Sequence, residues 1–234
     1  MSDNPIEAIR VAKHSPEFSH TIHDIGFDRF FVTYWNDSQL NLYNLCSQKE
    51  DSTLCIDATG SLVRNLDQGS DMKSGHVFLY EAVAVFSQSK RSFPVVQLLS
   101  EIHHANFLSY CLKEWKLAGA PAPKQVVCDM SQALLSACAR AFTPYENLDS
   151  YLKYMWQIIS MDTPNDLPCF IRIDYPHFQK SVCSWPELRG KQQKIREFYL
   201  RSIGLLVQST SLDDVRSLLE HIFTMALCET EGQG

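Results

Sequence analysis

The chain has 234 residues, 45% of them hydrophobic, enough to bury a sizeable core in one domain or in one domain carrying an insertion. A formal net charge of -6 lacks the basic balance that usually accompanies nucleic-acid binding, so any such function has to rest on a local site. No signal peptide and no apolar run long enough to span a bilayer is present, and a soluble protein of the cytoplasm or nucleus with no membrane partner is expected. The eight cysteines, at 46, 55, 111, 128, 138, 169, 183 and 228, form no C-x-x-C and several sit inside apolar runs. They read as reduced core residues of an intracellular protein, without zinc or disulfide roles.

Residues 1–25 are polar and show no sustained apolar period, which predicts a loose arm. His14, His20 and His23 fit no zinc spacing there and read as exposed side chains. Phe30–Trp35 is a β-prone aromatic run, and Asp37-Ser38 offers an N-cap for a helix over Gln39–Lys49. Thr53–Ile56 is a short apolar strand that delivers Asp57 to the small, turn-prone Ala58-Thr59-Gly60. Leu62–Leu66 reads as a further short strand. His76–Gln88 follows as a long β-run in which Glu81 is the single charge, and the close return of the strands predicts an antiparallel meander. Val96–Ala118 carries an approximate helical period, with His103-His104 inside it and Gly119 and Pro121 ending it. Glu101 to His104 spells E-x-x-H without the first histidine of the metalloprotease pattern, so no catalytic role follows.

Gln125–Asp129 is a second short strand ending in an acid, and Ser131 can cap a helix over Gln132–Phe142. Tyr145–Met161 is helical and stops at the Thr163–Asp166 turn. Cys169–Ile173 is a third strand ending in an acid, Asp174, followed by a helix from about Pro176 to Trp185. From Lys191 the chain is helical through Leu206 and again over Leu212–Leu227, with Ser209–Ser211 as the break. The fold class is α/β, a mixed sheet flanked by helices. Trp115, Trp156 and Trp185 read as core or half-buried residues, and the basic cluster Arg189, Lys191, Lys194, Arg196 and Arg201 as a solvated helix face or, alternatively, a phosphate track.

An aspartate at a strand end either caps the turn through backbone N–H groups or faces a cleft and binds a metal or substrate. The arrangement of Asp57 recurs at Asp129 and Asp174, and acids on adjacent strands would converge at one sheet edge. Carboxylates sharing a pocket repel unless a cation lies between them. Magnesium suits that need, taking one or two carboxylates plus water and phosphate oxygens, and such sites serve phosphodiester cleavage.

C-I-D-A-T-G with its following strands, V-V-C-D-M-S-x-A-L-L ahead of a helix, and D-Y-P-H after a third strand together resemble the Mutator-like (MULE) transposases, especially their NOF/FB-like branch. The resemblance spans roughly residues 25–234 and lies in the order of the motifs. It implies an RNase H-like fold over 26–188 and the start of a helical insertion over 189–234. It also implies Mg²⁺ or Mn²⁺ held by Asp57 and Asp129, with Asp174 and His177 at the D-x-x-H signature as further catalytic-site residues. DNA, as transposon ends, is the implied partner, with a homo-oligomer left open and a nuclear location. The family's third acid, a glutamate, is expected past residue 234, since Glu229 and Glu231 sit in a frayed end beside Gly232 and Gly234; the chain is then a truncated or decayed copy. Two other classes compete. Cys128 with Asp174 and His177 has the residue types of a thiol hydrolase, although Val127-Cys128-Asp129-Met130 lacks the small flanking residues of a nucleophile elbow. A catalytically inactive remnant or domesticated interaction module is the other.

Overall fold

The structure is a computed structural model, and it describes residues 5–60, 75–161 and 168–228. They fall into two compact units, Met1–Leu152 with Asp166–Asp174, and Lys153–Asn165 with Tyr175–Gly234. The expected strand at Leu62–Leu66, the turn at Thr163–Asp166, and Glu229 and Glu231 lie outside the described residues.

One seven-stranded sheet organises the first unit. Its strands are β1 (Ile22–Gly26), β2 (Phe31–Tyr34), β3 (Ser52–Gly60), β4 (Phe78–Phe86), β5 (Arg91–Ser100), β6 (Gln125–Cys128) and β7 (Phe170–Ile173). Their spatial order is β1-β2-β5-β4-β3-β6-β7. β3, β4 and β5 form the expected antiparallel meander, and β6 and β7 extend it on the other side of β3, each parallel to its neighbour. A meander whose first strand is extended by two parallel strands is the RNase H-like order. The remaining pair, β1 and β2, is added antiparallel at β5.

Alternation along the strands decides which face is buried. Leu54 and Ile56 of β3, Ala82, Ala84 and Phe86 of β4, and Val126 and Cys128 of β6 join one core. That core includes Tyr43 from α2 (Asp37–Ser47), Trp115 from α3 (Ala105–Leu117) and Phe142 from α4 (Gln132–Phe142). Tyr43 packs its ring 5.0 Å from that of Trp115, and its hydroxyl donates to the Pro121 carbonyl at 3.1 Å, so a buried aromatic keeps its polar tip satisfied. A smaller cluster on Phe30, Val32 and Val77 takes in Ile9 from α1 (Pro5–Lys13) and Ile22 and Ile25 from β1.

Several local readings are corrected. Within residues 1–25, read above as a loose arm, the chain forms α1 and β1. β1 is short and bulged between Ile22 and Asp24, which breaks strict alternation, while α1 is a nine-residue helix with apolar Ile9 packed on the smaller cluster. His23 at the bulge stacks on Trp35 with ring centroids 3.6 Å apart. Asn36, not Asp37 or Ser38, caps α2: its Oδ1 accepts from the Gln39 N–H at 2.7 Å, and the Gln39 side chain accepts from the Asn36 N–H at 2.9 Å. The helix expected from Val96 starts only at Ala105, because Val96–Ser100 belongs to β5, where it pairs with β4 and, over Gln97–Ser100, with β2 as well. His104 is then the N-cap of α3 and not an interior residue. β3 does not end at Asp57 but continues to Gly60, held by its ladder to β4. α5 (Leu148–Met161) starts later than expected, with Asn147 Oδ1 accepting from the Ser150 N–H.

The second unit holds most of α5, then α6 (Tyr175–Cys183), a 3-10 turn (Pro186–Leu188), α7 (Gln193–Gln208) and α8 (Leu212–Leu227). The expected break between the last two helices is present, and Ser211 caps α8 by accepting from the Asp214 N–H at 3.1 Å. A Cβ on Gly204, inside α7, would stand 3.1 Å from the Tyr175 hydroxyl, a tight approach that favours glycine there. Trp115 is buried as expected, but Trp156 is 60% exposed on α5.

Candidate functional site

Parallel pairing brings the three aspartates to one level. β3 and β6 pair through Ile56↔Cys128, and β6 and β7 through Cys128↔Ile173, so Asp57, Asp129 and Asp174 are each the next residue on three adjacent strands. The Asp174 N–H donates to the Cys128 carbonyl at 2.7 Å, which carries the ladder one step past β7. Neighbouring strands lie about 4.8 Å apart, so the row is narrow. It stands at the carboxyl ends of β6 and β7, where open α/β sheets commonly receive ligands.

Each of the first two carboxylates is oriented by its own backbone. Asp129 Oδ1 accepts from the Ser131 N–H at 3.0 Å, an Asx turn that leads into the Ser131 cap of α4. Asp57 Oδ1 accepts from the Ala58 N–H at 2.8 Å. The capping geometry and the exposed position thus coexist: Asp57 is exposed and Asp129 and Asp174 are half-buried. His177 lies in the first turn of α6, in the second unit, while Asp174 closes the first.

Glu81 is an acid that motif reasoning passed over. On β4 it stands directly opposite Asp57, and Gln97 of β5 stands opposite Glu81. Like charges at opposed positions on paired strands destabilise the sheet unless a cation or water separates them. Its one sequence signal was its isolation as the single charge in a long β-run. Beyond Gln97 the row reaches Tyr34, whose hydroxyl pKa is raised by burial and then by the charge of Glu81. Burial, with a smaller contribution from the Asp129 charge, pushes Tyr80 up to about 12. Cys55 is raised by burial, lowered by Arg172 and raised by Asp174, which marks these two charges as neighbours of its thiol. Among the described residues no group of three His, Cys, Asp or Glu is arranged to hold a metal ion.

Other candidates separate from the row. Cys128 is buried in the core, and Cys138 is held well above the ordinary thiol range by its hydrogen bond to Cys128 and then by burial. A thiol in that setting is not a poised nucleophile. Both ring nitrogens of His103 are engaged, Nδ1 with the Tyr80 hydroxyl and Nε2 with the His76 carbonyl, each at 3.0 Å. The basic residues from Arg189 to Arg201 are exposed, and Arg201 lies 3.9 Å from Glu197. No helix among the described residues is long and apolar enough to cross a membrane.

No protein-family model matches the chain. Over 231 residues it is 31% identical to the 120.7 kDa protein in NOF-FB transposable element of Drosophila melanogaster, covering 98% of this chain and 21% of that protein. Among solved structures, the Drosophila P element transposase strand transfer complex is similar at a TM-score of 0.30 and 15% identity, over 63% of this chain and 37% of that one. At that level of likeness nothing about the chain follows. The chain spans about a fifth of the length of the curated relative that it matches, and over nearly all its own residues it is homologous to a transposable-element protein.

Proposed function

We propose that the chain carries the core of a transposase of the Mutator-like kind, whose chemistry is divalent-metal-dependent cleavage and transfer of DNA strands in the nucleus. The observation that carries this reading is the register that sets Asp57, Asp129 and Asp174 abreast on β3, β6 and β7. Homology to a transposable-element protein supports the choice of DNA as substrate.

The donor set fits Mg²⁺ or Mn²⁺: hard carboxylate oxygens on adjacent strands, one exposed and one half-buried, leaving room for water and phosphate oxygens. Asp57 and Asp129 would hold the ion, and a bound ion would lower the pKa of an attacking water and stabilise the leaving oxygen. The chain itself contributes orientation. Backbone N–H groups fix one oxygen of each carboxylate before any ligand arrives, which lowers the reorganisation cost of binding. Asp174 is the third member of the row, and the exposed Arg172 two residues earlier on β7 is placed to meet a phosphate.

A second reading, an inactive domain serving as an interaction module, is favoured by one observation: among the described residues no group of three His, Cys, Asp or Glu is arranged to hold a metal ion. Plasmid nicking separates the two. The enzymatic reading expects nicking that needs Mg²⁺ or Mn²⁺, stops in EDTA and falls at least 100-fold in Asp57→Asn. Absence of nicking by the unmodified chain across both metals rejects it and leaves the module.

A further inference from the structure

We propose that the groove between the 3-10 turn and α7 is a docking surface for single-stranded nucleic acid, with an unstacked base seated against Trp185 and Tyr199. The groove is a cavity of about 590 Å³ lined by Trp185, Leu188, Lys191, Ile195, Tyr199 and Ile203. Ile195, Tyr199 and Ile203 recur at four-residue steps and form one stripe along α7, while Trp185 and Leu188 supply the opposite wall. Gly190, at φ +71, makes the turn between the two walls. Trp185 remains 40% exposed and Ile195 41%, so apolar and aromatic surface is presented to solvent.

Charge selects the occupant. Lys191 and Glu187 are the two charges in the lining, and the adjoining sequence adds two cations, Arg189 two residues before Lys191 and Arg196 next to Ile195 on α7. This excess of cations stands in a chain whose net charge is -6. An apolar peptide would leave those cations unmatched, and a duplex keeps its bases stacked and offers no ring face. A single strand offers both a phosphate backbone for the cations and a π-face for the indole and phenol rings. Lys194 and Arg201 lie on other sides of α7 and are not needed.

The site refines the DNA-processing reading above, yet its binding needs no metal, so the two fail separately. The test uses the full chain in EDTA with a fluorescein-labelled oligo-dT strand, its blunt duplex and a poly-glutamate competitor, read by fluorescence anisotropy. The single strand is expected to bind more tightly than the duplex, with an affinity that falls as salt rises. Removing the stacking partner in Trp185→Ala should weaken binding about tenfold or more. Trp185→Leu, which keeps apolar bulk without a ring, should weaken it similarly while far-UV circular dichroism stays unchanged. Lys191→Gln should flatten the salt dependence. Equal affinity for strand and duplex, unchanged binding in Trp185→Leu, or complete displacement by poly-glutamate at matched charge would overturn the proposal, the last in favour of an acidic protein partner.

Discussion

Asp57 and Glu81 stand opposite each other across β3 and β4, a pairing of like charges that paired strands disfavour. In metal-free buffer Glu81→Gln should raise stability by about 0.2–1 kcal/mol, because a like-charge pair is removed from opposed strand positions. Urea denaturation in EDTA checks it, and an unchanged or lower midpoint would show that the two carboxylates do not sense each other. His23 supplies a pH signal. Stacking on Trp35 lowers its pKa below 6.5, chiefly by burial, against the opposing pull of its bond to the Trp35 carbonyl. The unfolded chain then binds the proton more readily, so the contribution of this residue is fully present above pH 6.5 and declines as pH falls below it. His23→Phe keeps the stack and should flatten that part of the pH–stability curve. Glu81 was legible only as an isolated charge; its partner emerges from strand register, which no local spacing encodes.

β7 is an edge strand, and Tyr151 protects it. The Tyr151 hydroxyl accepts from the Ile171 N–H at 2.8 Å and lies 3.4 Å from the Ile171 carbonyl, satisfying groups that β6 does not reach. Tyr151→Phe should cost about 1–2 kcal/mol and speed hydrogen exchange at Ile171 and its neighbours, loosening the strand that presents Asp174. Ser131→Ala should likewise cost about 1 kcal/mol through the cap of α4, read as a lower thermal midpoint. The α4 cap and the breaks around α7 and α8 were readable in sequence because capping and periodicity are local. β5 was not. Val96–Ser100 satisfies a helical spacing as well as a strand, and the decision falls to pairing partners far away in the chain, β2 and β4. For the same reason β3 runs past Asp57: the antiparallel ladder to β4 outweighs the turn propensity of Ala58-Thr59-Gly60.

Across the whole chain the eight cysteines are free thiols, and Cys46, Cys111, Cys128, Cys138 and Cys169 are buried. Burial pushes Cys111 to about 11 and Cys169 to about 12, so their thiolate fractions at neutral pH are small. Iodoacetamide should modify exposed Cys228 first and the buried five only on unfolding, as mass spectrometry of peptides would resolve; early labelling at Cys128 would revive the thiol reading. The short apolar runs that lead into Asp57, Asp129 and Asp174 were legible as local signals, whereas the strand order was not, because β1 was read as a loose arm and Val96–Ser100 of β5 as helix. The most direct measurement is a Mn²⁺ titration followed by electron paramagnetic resonance at neutral pH. The unmodified chain should take up one tightly held ion, and Asp57→Asn and Asp129→Asn should each lose it while keeping the backbone bonds that an amide oxygen can still accept. Equal Mn²⁺ uptake by all three proteins would contradict a shared metal on β3 and β6.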